Sequence, residues 1–311
     1  MASTTRATTP ETYSYGPHDL QKVHVYNVQK QADLSSKSPN QGYWVIYIHG
    51  GAWRDPRVLA ESFGPTETLL QSSRYAEIIT REHVVAFASI DYRLSAHPNF
   101  PQDRSTTDAA TQLRDAKHPD HLHDVLAAIA FLQERYGFGD RYILVGHSCG
   151  ATLAFQTVMG KVAGAETTTT ITKPRAVAGV CGIYDLRLLR DDFKQEPIYH
   201  QFLEGAFGPD EDLWDRVSPA KDGIEAGWLN GKLALLAHSA GDELVNLRQF
   251  LAMKDALVPW KEAATAKDDR STRQVVLLQD LQQPHDDVWS NGEELAAVIV
   301  TAIRELAKID S

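Results

Sequence analysis

Cysteine is nearly absent from this chain: two residues in 311, Cys149 and Cys181. No disulfide framework is expected, and the reading is a cytoplasmic protein. Positive charge is also scarce. Thirty-one Lys and Arg against 41 Asp and Glu leave a net charge of −10, which argues against nucleic acid as a partner, since phosphate binding needs clustered cations. No apolar run approaches the roughly 20 residues that span a bilayer, so no membrane association is expected. The N-terminal stretch, rich in Ser, Thr and Pro, lacks the apolar region of a secretory signal. Neither a Gly-x-Gly-x-x-Gly nor a Gly-x-x-x-x-Gly-Lys-Ser/Thr string occurs, so no nucleotide and no other cofactor is expected. His121-Leu122-His123-Asp124 has the composition of a metal cluster, but it falls on a periodic helix without a further ligand at the right offset. It is read as a solvated helix face, and no metal is expected.

What is present is an alternation of strands and helices. Lys22–Tyr26 reads as an edge strand, and Tyr43–Ile48 and Val84–Ile90 read as strands buried on both faces. Apolar residues recur at helical spacing from Pro119 to Tyr136, and Arg141–Val145 is the next strand. Further strands are expected at Ala176–Cys181, Lys232–Ala237 and Arg273–Leu278, with helices near Ser73–Glu82, Leu247–Leu257 and Glu293–Ala307. The pattern implies an α/β fold with a mostly parallel central sheet and helices on both faces. Residues 1–15 are expected to be a flexible tail, with residues 16–311 forming one domain. Residues 184–228 are too long for a simple crossover and suggest a cap-like insertion over a site.

Chemistry enters at Gly146-His147-Ser148-Cys149-Gly150, directly after a strand and before a small-residue helix start. A Gly-x-Ser-x-Gly in that context is a nucleophile elbow, which presents the serine hydroxyl at the top of a sheet. Such a serine needs a base, an acid that orients the base, and donors for the oxyanion. In this fold the base follows the acid in the chain. Of twelve histidines, only His285 lies after the last strand. His238 is on the wrong side of the candidate acid, and His147 is expected to pack behind the turn. Asp242, after the strand at Lys232–Ala237, is the first choice for the acid, with Glu243 and Asp185 as rivals. The oxyanion donors are expected from the N–H of Cys149 and from the loop of Gly50 and Gly51 in His49-Gly50-Gly51-Ala52-Trp53.

Together these residues resemble the α/β-hydrolases from about Lys22 onward. Asp91-Tyr92-Arg93-Leu94 is similar to the Asp-Tyr-Arg-Leu of the hormone-sensitive-lipase branch. The form His49-Gly50-Gly51-Ala52-Trp53-Arg54-Asp55-Pro56 departs from that branch's His-Gly-Gly-Gly and resembles the kynurenine formamidases of the fungal type. That resemblance implies hydrolysis of N-formyl-L-kynurenine to L-kynurenine and formate, in tryptophan catabolism and NAD biosynthesis. It carries the triad onto Ser148, Asp242 and His285, and the oxyanion hole onto Gly50, Gly51 and Cys149. The implied partner is a small-molecule substrate, with a homodimer as a further possibility. Trp53 and residues 184–228 are then expected to wall the substrate's aromatic ring, and its carboxylate to need a cation among Arg54, Arg93 and Arg187. The alternatives are a broad-specificity carboxylesterase on the same triad and, further off, a non-catalytic interaction protein of hydrolase fold.

Overall fold

A computed structural model of the chain describes residues 9–27, 42–162, 164–166, 168–221, 223–265 and 273–311. Its centre is an eight-stranded sheet in the order β1-β2-β4-β3-β5-β6-β7-β8. The strands are β1 (Glu11–Ser14), β2 (Lys22–Asn27), β3 (Tyr43–Ile48), β4 (Val84–Ile90), β5 (Tyr142–His147), β6 (Ala176–Val180), β7 (Leu233–Ser239) and β8 (Gln274–Leu281). From β4 to β8 every neighbouring pair is parallel, while β2 is antiparallel to both β1 and β4.

Ten α-helices complete the chain among the described residues. They are α1 (Gly64–Leu70), α2 (Ala76–Arg81), α3 (Asp120–Tyr136), α4 (Cys149–Gln156), α5 (Leu186–Asp192), α6 (Pro197–Phe207), α7 (Glu211–Val217), α8 (Leu247–Thr265), α9 (Asp287–Ser290) and α10 (Glu293–Asp310). Strand pleating explains the layering, because successive side chains point to opposite faces. Trp44, Ile46 and Ile48 of β3 pack with α3–α8, whereas Tyr43, Val45 and Tyr47 pack with α1, α2, α9 and α10. Both faces of β3 are therefore buried, as its continuous apolar run requires. The helix α3 stops at Gly137, which takes the left-handed conformation at φ 67° that a residue without Cβ adopts cheaply.

Three expectations are corrected here. Lys22–Asn27 is not an edge strand: Glu11–Ser14 of the expected tail pairs along it as β1 and takes the edge. The rest of that tail, residues 1–8, lies outside the described residues. The His121–Asp124 segment is not a solvated face, since His121 and Asp124 are buried. His121 Nε2 sits 3.1 Å from Ser95 Oγ, and Asp124 takes a bidentate pair from Arg93. Among the described residues no helix is long and apolar enough to cross a membrane.

Candidate active site

Parallel strands deliver their following loops to one end of the sheet, where ligands bind in open α/β folds. The segments after β3, β4, β5, β6, β7 and β8 all contribute to the cavity here, and those after β3, β5, β7 and β8 carry the candidate chemistry.

The turn after β5 carries Ser148 at φ 55° and ψ −124°, a conformation that costs a non-glycine residue free energy and that functional sites tolerate. The turn closes only because its neighbours are glycines: a Cβ on Gly150 would stand 2.2 Å from the Ile48 carbonyl oxygen, and one on Gly50 3.1 Å from Ser148 Cβ. Ser148 also lines a cavity of about 320 Å³, together with Gly51, Ala52, Tyr199, Phe202 and His285. Its hydroxyl has no hydrogen-bond partner among the described residues and faces this space. No hydrogen bond joins this hydroxyl to the His285 imidazole, a contact of the kind that substrate commonly tightens.

His285 follows β8, and Asp242 follows β7. His285 Nδ1 lies 2.9 Å from Asp242 Oδ2, and the Asp242 side chain is fully buried. Asp242 Oδ1 accepts the N–H groups of Val245 at 2.8 Å and Leu244 at 3.0 Å. Burial by itself would raise this carboxyl's pKa, but His285 and those two N–H groups outweigh it and hold it below the usual value. Asp185 makes no hydrogen bond or ion pair with His285; it caps α5 through the Leu188 N–H and pairs with Lys221 at 3.0 Å. Glu243, the other rival, accepts the backbone N–H of His285 at 3.1 Å. It steadies the histidine loop rather than the imidazole.

His147 lies behind the turn with its ring 4.6 Å from that of His285. Burial, then the adjacent His285, drives its pKa well below the ordinary value, so it stays neutral. His238 is pushed the same way by burial, against the pull of Asp242. Among the described residues, two groupings have ligand-capable atoms within 4.8 Å of one another: His147, Cys181 and His285, and Cys181, His238 and Asp242. Each includes one member of the Asp242–His285 pair, so a cation there would compete with that hydrogen bond.

The loop after β3 runs through three residues of positive φ, Gly51 (89°), Ala52 (49°) and Trp53 (59°). The Gly51 N–H donates to nothing among the described residues. Cys149 is the first residue of α4, so its N–H has no intrahelical acceptor. Both are free to serve an oxyanion beside Ser148. Supports that the sequence reading missed hold the loop in place. Tyr92 donates to the carbonyls of His49 and Gly50, both at 3.2 Å, and its ring stacks on His49 at 4.4 Å. Cys149 Sγ accepts the Trp53 N–H at 3.3 Å, and the Trp53 carbonyl accepts the Ser95 N–H at 2.8 Å. Asp91 accepts the Ala60 N–H at 2.6 Å, and burial raises its pKa to about 7. Burial likewise lowers the neighbouring His49 to about 4.

Trp53 does not wall the cavity. It is fully buried, with its ring 5.0 Å from Phe207 and 6.3 Å from Phe202. The positive-φ run turns its side chain into the core behind the loop. The aromatic wall comes from Tyr199 and Phe202 of α6, within the stretch expected to cover the site. Of the three candidate cations, Arg93 is engaged by Asp124 and Asp120, and Arg187 by Asp212 and Asp215. Only Arg54 reaches the cavity.

Known proteins agree with this architecture. Residues 45–287 match the family model of the alpha/beta hydrolase fold. Esterase B from Lactobacillus rhamnosis superimposes with a TM-score of 0.63 at 17% identity, over 97% of this chain and 87% of that one; at that identity the likeness speaks for the fold alone. Sequence similarity is higher elsewhere. The chain is 44% identical over 270 residues to the kynurenine formamidase-like hydrolase fscH of Fusarium equiseti, covering 85% of this chain and 84% of that protein. It is 38% identical over 289 residues to the kynurenine formamidase avaC of Aspergillus versicolor, covering 87% and 91%. With the elbow, the Asp–His pair and the His-Gly-Gly-Ala-Trp loop on one cavity, the chain belongs to the fungal kynurenine formamidase family of α/β-hydrolases.

Proposed function

We propose that this protein hydrolyses the formamide of N-formyl-L-kynurenine to L-kynurenine and formate. The observation that carries the mechanism is the 2.9 Å Asp242–His285 pair opening onto the cavity that Ser148 and Gly51 also line. Asp242 holds the imidazole with its proton on Nδ1, so that Nε2 is left to accept the serine proton. Ser148 Oγ attacks the formyl carbon, and the negative oxygen is received by the N–H groups of Gly51 and Cys149. As the C–N bond breaks, His285 returns the proton to the departing aromatic amine. The same base then activates water, which releases formate and restores the serine. Tyr199 and Phe202 offer the flat apolar surface that an aromatic leaving group needs. Both cysteines are free, which fits a reducing compartment such as the cytoplasm.

The test is spectrophotometric release of kynurenine by the wild-type and Ser148→Ala proteins. The alanine variant should lose activity by about 10⁴-fold or more; activity that survives would overturn the mechanism. Comparing kcat/KM on N-formylkynurenine with that on p-nitrophenyl acetate separates this reading from a general carboxylesterase, which would strongly prefer the ester.

A further inference from the structure

Arg54 is 6% exposed, yet its guanidinium has no ion-pair or hydrogen-bond partner among the described residues. It lies over the Phe202 ring, 5.7 Å from the guanidinium carbon to the centroid. The guanidinium opens onto the cavities it lines, so it is partly desolvated and unpaired, a state that favours an arriving anion. The neighbouring Asp55 attracts it only at a distance, because that carboxylate is taken by Arg57 through two hydrogen bonds of 2.7 and 3.0 Å. The same desolvation that lowers the Arg54 pKa strengthens its pull on any anion that reaches it.

Its position gives the cation a purpose. Arg54 and His97 line both the 320 Å³ catalytic cavity and an adjoining chamber of about 360 Å³. The second chamber carries more positive charge, from Arg104 and Arg114. In the catalytic cavity the other fixed charges are the acids Asp55, Glu196 and Asp286, and among the described residues Arg54 is the only Lys or Arg lining it. A carboxylate entering this space is repelled by the acids and drawn to the junction of the two chambers.

We propose that Arg54 binds the carboxylate of the leaving group's amino-acid arm, at the junction between the two chambers, and so selects aryl formamides bearing an anionic arm. This deepens the formamidase reading and rests on it. The ring would lie on Tyr199 and Phe202 while its arm points to the guanidinium. Such a contact acts on the whole leaving group, away from the reacting atoms, so it shows in KM more than in kcat.

The experiment compares N-formyl-L-kynurenine with its carboxamide on wild-type, Arg54→Gln and Arg54→Lys proteins. The wild type should favour the carboxylate by about 10- to 100-fold in kcat/KM, the range of one charge-assisted hydrogen bond. Arg54→Gln should erase that preference by losing activity on the carboxylate, and Arg54→Lys should restore part of it. The proposal is overturned if the wild type shows no preference, a result that needs no variant to fold. It is equally overturned if a folded Arg54→Gln loses the same factor on both substrates, the mark of a purely structural role. Should the wild type cleave neither formamide, the formamidase reading fails by itself. Arg54 is then tested on an aryl acetate with and without a carboxylate on its leaving group: a preference for the anionic ester that vanishes in Arg54→Gln upholds the anion site, and equal rates refute it.

Discussion

Asp242→Asn is the substitution whose outcome the geometry constrains most tightly. The two carboxylate oxygens have different duties: Oδ1 receives two backbone N–H groups, and Oδ2 receives His285 Nδ1. Asparagine has one acceptor and one donor end. The amide oxygen must take the Oδ1 position, because an NH₂ there would face two N–H groups. The amide nitrogen then points at His285 Nδ1 and requires that atom to be an acceptor. The imidazole proton moves to Nε2, the atom that must receive the proton of Ser148. The variant therefore keeps its shape while its base is in the wrong tautomer. A loss of about 10⁴-fold in kcat follows, equivalent to roughly 5.5 kcal/mol of transition-state stabilisation. Kynurenine release under saturating substrate measures it, with a melting curve to show that the fold survives. Asp185→Asn is the control: it keeps the cap on α5, gives up the Lys221 pair and should stay within a few-fold of wild type. Asp242→Asn falling by less than tenfold, or a crippled Asp185→Asn, would refute the reasoning.

Two further outcomes concern Trp53, in the loop after β3, and Asp91, just after β4. Trp53→Ala should lower stability by about 3–5 kcal/mol, as emptying a large buried side chain does, and calorimetry should show it as a Tm drop of roughly 5–15 °C; in the folded protein kcat should fall and KM rise together, whereas Phe202→Ala should raise KM with little change in kcat, and a Trp53→Ala that raises KM alone would return Trp53 to the substrate wall. Asp91, raised to about 7 in the fold from an ordinary 3.8, retains a proton there that the unfolded chain has already released. Its contribution to stability is full below about pH 4 and is lost as pH rises through about 7, up to a limit on the order of 4 kcal/mol. Denaturant midpoints measured from pH 5 to 8 should fall in the wild type and flatten in Asp91→Asn; identical slopes would show that Asp91 does not titrate in this range.

How far the chain could be read depended on which physical signal each feature leaves. The Ser148 elbow, Asp242 and His285 were legible because strand periodicity locates the ends of β5, β7 and β8, and chain order sorts the acid from the base. Strand β1 was not legible, since four residues of which three are exposed carry little hydrophobic pattern. On α3 a signal existed and was misread: His121 and Asp124 stand at helical spacing from Val125, Ala128 and Leu132, so they share the buried face. The roles of Tyr92 and Glu243 depend on contacts across 42 residues of chain or more, which no local pattern encodes. Trp53 failed for a different reason. An aromatic beside an oxyanion loop suggests a substrate contact, but side-chain direction there is set by backbone dihedrals that composition does not reveal.

That misplacement explains why a motif can mark a substrate class without touching the substrate. Three consecutive positive-φ residues make the β3 loop costly in itself, and it persists only because neighbours over-determine it. The Trp53 ring fills the space behind it, Cys149 Sγ and the Ser95 N–H clamp the Trp53 backbone, and Tyr92 holds the carbonyls of His49 and Gly50. With the Trp53 side chain committed to the core, it is the next residue, Arg54, that lines the cavity. The tryptophan thus acts as a fixed anchor from which the loop presents the Gly51 N–H to the reacting oxygen and the Arg54 guanidinium to the far end of the substrate. A substitution at Trp53 and one at Arg54 should therefore differ in kind: the first loosens both presentations together, and the second removes one and leaves the other intact.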